Sequence, residues 1–169
     1  MKAEDYQKIT EQTAIYPSSV KNFGIAYTFL GLVGEDLEVQ GKYENPSSEG
    51  AMGLLKELGD SLWYVRALCK EVGLDFVELV NIKSPSFYKE YNILQLAEPI
   101  KKYYRDGTAL DLKLFKSVLL STIESIRSAA IMEGSSLEEV MDINYRKLIA
   151  RRATNTIQGS GDNRENITK

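Results

Sequence analysis

The chain has 169 residues, 43% of them apolar and 27% charged, which suits one globular domain with a sizeable core. A net charge of −3 with no basic block argues against a nucleic-acid groove, and no apolar run approaches the ~20 residues of a membrane span. The absence of histidine excludes Ser–His and Cys–His nucleophiles, His-ligated zinc and the Glu-x-x-His pairs of di-iron bundles.

Residues 4–14, EDYQKITEQTA, read as a short amphipathic helix with Tyr6, Ile9 and Thr13 inward, ended by Tyr16-Pro17-Ser18-Ser19. A helix over about 20–42 carries Glu35 and Glu38. The link NPSSEG interrupts the pattern, and a second helix over about 50–71 carries Glu57 and Asp60. Residues three apart share a helix face, and a short link favours antiparallel neighbours, so the four acids are expected to face one point. Gly34 and Gly59 each stand beside an acid inside a helix, where Gly costs roughly 1 kcal/mol against Ala, so close backbone approach is expected at both. Concentrated negative charge needs a cation or full solvation by water. These acids lie among Leu30, Leu32, Val33, Leu58 and Leu62, which favours a site over a solvated face. An oxygen-only donor set suits Mg²⁺, with Mn²⁺ as a substitute, better than zinc. Without that cation, like charges should strain the site, and losing an acid should leave stability intact or raise it.

Gly73 reads as a helix C-cap, and a third helix starts near Asp75 and runs to Ser84-Pro85, with Asn81 and Lys83 near its end. The second half echoes the first: residues 32–39 align with 95–102, 58–73 with 119–134, and 74–83 with 137–146, placing Gly73 on Gly134 and Asn81 on Asn144. This reads as a degenerate internal duplication in which the acids are replaced by Glu98, Lys101, Val118 and Ser121, so only the first copy holds a metal. The expected fold is all-α: one domain over 1–169, a four-helix-type bundle core made from two tandem, diverged helical units (about 20–84 and 87–152), a short N-terminal helix and a polar tail over 153–169. Lone Cys69 lies in an apolar helical pattern and forms no internal disulfide, and MKAEDYQKIT has no secretory apolar segment, so a reducing cytoplasm is the expected compartment. Apolar residues between Tyr88 and Tyr104 fall on more than one helical face, which suggests a homodimer.

GLVGEDLEV followed by KELGDSLWYV, an E-x-x-E and an E-x-x-D separated by 18 residues, resembles the MazG-like branch of the all-α nucleoside triphosphate pyrophosphohydrolases, the superfamily that also holds the dimeric dUTPases. TAIYP, GLDFVELVNIK and GSGDNR resemble the same branch, so the likeness extends across most of the chain. The resemblance implies Mg²⁺-dependent hydrolysis of a (deoxy)nucleoside triphosphate to monophosphate and pyrophosphate, with attack at the α-phosphorus. It implies Glu35, Glu38, Glu57 and Asp60 as metal ligands, with Glu38 orienting or deprotonating the water. Trp63 is then either core packing or a wall of the nucleotide pocket, and Asn81 and Lys83 either contact phosphate or are solvated. Arg164, in a tail that is otherwise polar and glycine-rich, becomes a phosphate contact. Lys56 and Arg66 are further candidates for holding pyrophosphate. The alternative is a non-catalytic metal- or nucleotide-binding helical protein.

Overall fold

The computed structural model describes residues 1–16, 23–45, 49–82 and 91–157, and among these every regular element is helical. The helices are α1 (Ala3–Thr10), α2 (Phe23–Glu44), α3 (Ala51–Val72), α4 (Phe76–Asn81), α5 (Ala97–Asp106), α6 (Leu112–Met132) and α7 (Leu137–Ala153), with single 3₁₀ turns at Glu11–Thr13 and Ile93–Leu96. The protein is an all-α bundle. No helix among the described residues is long and apolar enough to cross a membrane. Lys83, Arg164, Tyr88 and the glycines of GSGDNR lie outside the described residues.

Local chemistry sets the helix ends. Gly73 and Gly134, the pair matched between the two halves, both adopt positive φ (77° and 71°). Each lets the following amide reach back into the helix, Leu74 to the Cys69 carbonyl and Ser135 to the Ala130 carbonyl, both at 2.8 Å. A side-chain N-cap then starts the next helix: Asp75 accepts from the Glu78 amide at 3.0 Å and Ser136 from the Glu139 amide at 3.2 Å. Asp111 caps α6 in the same way.

Helix α3 is the axis of the molecule. It is buried around most of its circumference because α2, α6 and α7 all pack against it. Helix α2 runs along α3, which places Glu35 opposite Glu57 and Asp60. Helix α1 closes the bundle on α7 and α4, with Tyr6 fully buried as its anchor. Helix order repeats between the halves, but packing does not. Ten-residue α5 seats on the 3₁₀ turn before it and does not lie along α6 as α2 lies along α3.

One expectation is corrected. A Cβ on Gly59 would meet the Asn144 Cβ at 2.8 Å, so this glycine does permit close approach of α7 to α3. Gly34 has nothing within 4 Å and serves no such contact. In the second half, Ile93, Leu96 and Ile100 are buried within the chain, leaving Leu94 and Tyr104 exposed. The larger exposed apolar positions near the acids are instead Leu30 and Leu37 on α2, 66% and 62% exposed. Gly59→Ala should therefore cost about 1–3 kcal/mol of stability through overpacking. Gly34→Ala should raise stability by up to about 1 kcal/mol by removing a helix-interior glycine. Urea denaturation of the two variants checks both, and equal effects would contradict the assignment.

Candidate metal centre

The acids come from two helices that must lie close. Gly31 allows it: a Cβ there would sit 2.1 Å from the Tyr64 ring, so Tyr64 crosses α2 one turn before Glu35. Three of the four expected carboxylates converge. Glu35, Glu57 and Asp60 each offer an oxygen, all within 4.8 Å of one another. Glu38 is exposed and stands outside this group, although near enough for its charge to act on Glu35.

Two lysines neutralise the cluster. Lys42, near the end of α2, places Nζ 2.9 Å from Oε1 of the buried Glu57. Lys147 of α7 pairs its ammonium with Asp60 Oδ2, while Asn144 Nδ2 donates to Asp60 Oδ1 at 2.8 Å. Asn144 is itself held by Tyr6, whose hydroxyl donates to Asn144 Oδ1 at 2.8 Å. Among the described residues no lysine pairs with Glu35, and its Oε2 is buried and accepts no hydrogen bond. Burial, then the charges of Asp60 and Glu38, push its pKa up to about 8. An oxygen-only set with a buried, unsatisfied carboxylate oxygen fits a hard divalent cation.

Beside the acids stands an aromatic wall. Trp63 is half-buried, donates Nε1–H to Thr13 Oγ1 at 2.9 Å and meets Tyr64 edge-on at 4.9 Å. Tyr16 stacks on Tyr27 at 5.0 Å, and Tyr27 lies 6.2 Å from Tyr64. Arg66 is buried with its guanidinium 6.0 Å from the Trp63 centroid, and its nitrogens make no hydrogen bond among the described residues. It therefore backs the wall, and Lys56 is engaged with Glu49 at 2.9 Å. Asn81 ends α4 and is exposed, on a helix that packs against α1, α3 and α6. The asparagine that reaches the acids is its counterpart in the second half, Asn144.

Lys42, Asn144 and Lys147 carry functions that sequence reasoning missed. For the last two a signal existed: a polar pair three residues apart on one face of α7, at positions where the neighbouring Met141 and Leu148 are core. No family model matches the chain, and no solved structure matches it. It is 31% identical over 110 residues to the Gene 37 protein of Mycobacterium phage L5, a match covering 56% of this chain and 95% of the relative. The chain belongs to the family of that phage protein.

The expectation that losing an acid relieves strain has to be divided. Asp60 has buried partners, so Asp60→Ala leaves Lys147 with no counter-charge and should cost about 3–5 kcal/mol. Glu35 behaves oppositely. The unfolded side chain ionises near 4.5 and the folded one near 8, so between these values the folded state holds the extra proton. Its contribution to stability is present below pH 4.5 and is lost as pH rises through 8. Thermal melts of the cation-free protein from pH 4.5 to 8.5 should show a downward slope that Glu35→Gln reduces; an unchanged slope in the variant would contradict the assignment.

Proposed function

We propose that the protein is a divalent-cation-dependent hydrolase that splits a (deoxy)nucleoside triphosphate into the monophosphate and pyrophosphate. The observation that carries this reading is the convergence of Glu35, Glu57 and Asp60 within 4.8 Å, with the buried Oε2 of Glu35 unsatisfied. The ordered likeness of the E-x-x-E and E-x-x-D segments to the MazG-like enzymes supplies the reaction class.

In this reading Glu35, Glu57 and Asp60 hold Mg²⁺, or Mn²⁺ in its place. The bound cation offsets phosphate charge and makes water a better nucleophile. Asn144 and Lys147 fix the Asp60 carboxylate by holding both its oxygens. Glu38, exposed beside the cluster, takes the proton of the attacking water; the new bond forms at the α-phosphorus and the bond to the pyrophosphate oxygen breaks. Trp63 and Tyr64, set edge-on to each other, offer aromatic surface for the base. The exposed Leu30 and Leu37 on α2, with Leu94 and Tyr104, supply apolar surface for the homodimer.

Turnover is checked by separating the products of each triphosphate incubated with Mg²⁺. Glu57→Gln and Glu38→Gln should each lower the rate by about a hundredfold or more. Glu98→Ala should leave it unchanged, because Glu98 is exposed and pairs with Lys101 on α5. Divalent binding without monophosphate and pyrophosphate release would instead favour a non-catalytic binding protein.

A further inference from the structure

Lys42 and Lys147 each pair with a carboxylate of the candidate centre, yet the two are not equivalent. Lys147 is 5% exposed and comes from the bundle interior. Its partner Asp60 is also bonded to Asn144, and Asn144 to Tyr6, so the ammonium belongs to a braced network. Lys42 is 23% exposed, on the last turn and a half of α2, and reaches from the solvent side to the 1%-exposed carboxylate of Glu57. A buried carboxylate cannot remain without a cation at low cost. Lysine is suited to a replaceable role because its charge is compact and its four-carbon stem is flexible.

We infer that Lys42 is a resident counter-cation of the carboxylate centre, holding Glu57 in the cation-free protein and displaced from it when a divalent ion binds. This inference rests on the metal-binding reading of Glu35, Glu57 and Asp60. A divalent ion on either Glu57 oxygen would share one carboxylate with the Lys42 ammonium and repel it, so the affinity of the centre is the difference between two cations competing for one buried carboxylate. Lys147 remains on Asp60 throughout, because it is buried and its partner is braced by Asn144 and Tyr6. The device protects the fold: α2 and α3 stay together whether or not a metal is present.

The test is a Mn²⁺ titration of the metal-free chain followed by electron paramagnetic resonance of the free ion. Wild type is compared with Lys42→Gln, Lys42→Arg and, as a distant control, Lys101→Gln. Glutamine keeps a hydrogen-bond donor for Glu57 but removes the competing charge, so Lys42→Gln should bind Mn²⁺ at least about tenfold more tightly. Lys101→Gln should match wild type, and Lys42→Arg, which keeps the competing charge, should show no gain in affinity. Melting curves with and without Mn²⁺ read the same competition, with a larger metal-induced rise for Lys42→Gln. Wild-type binding with no gain in Lys42→Gln would overturn the role of Lys42 while leaving the metal centre standing. No binding by any of the chains would overturn both.

Discussion

The Asp60 carboxylate is the point on which the structure depends. One oxygen accepts from Asn144 and the other pairs with Lys147, so a single side chain of α3 fastens α7 through both of its acceptors. Asn144 passes the connection to Tyr6 and hence to α1. All of this occurs where a Cβ on Gly59 would lie 2.8 Å from the Asn144 Cβ, closer than side chains pack without a shift. The same carboxylate is one of three that face the candidate metal position. Stability and chemistry therefore meet in one group, with the helices arranged so that its charge is never left alone.

The charge balance follows from that arrangement. Three carboxylates within 4.8 Å would repel strongly in a half-buried setting, and Lys42 and Lys147 pair with two of them. The acid left over, Glu35, responds by holding its proton, with a pKa near 8. The cation-free centre thus offsets its carboxylates with two paired lysines and a Glu35 pushed toward its protonated form. Such pairing lowers the cost of buried charge, the main energetic obstacle to an acidic cluster inside a helical bundle.

Much of this was legible in the chain, and the rest was hidden for a physical reason. Acid pairs three apart, Gly73 after an apolar run, and Asp75 ahead of another are local signals, and they place α2, α3 and α4 within a few residues of their observed ends. The lack of histidine narrows the chemistry before any fold is known. Lys42, Asn144 and Lys147 carry little local signature because their contacts with the acids arise from packing between helices; Asn144 and Asp60 are 84 positions apart. The internal comparison did pair Asn144 with Asn81, but only the packing of α7 on α3 decides which copy serves the acids. Gly34 misled for a related reason: a glycine beside an acid says nothing about whether another helix lies against it.

The account stands most directly on where a cation binds. Crystals grown without divalent ions and soaked in Mn²⁺ would locate it by anomalous scattering. The account predicts a peak bounded by the carboxylate oxygens of Glu35, Glu57 and Asp60, with the Lys42 ammonium moved away from Glu57. A peak elsewhere, or none with Lys42 still seated on Glu57, would contradict it.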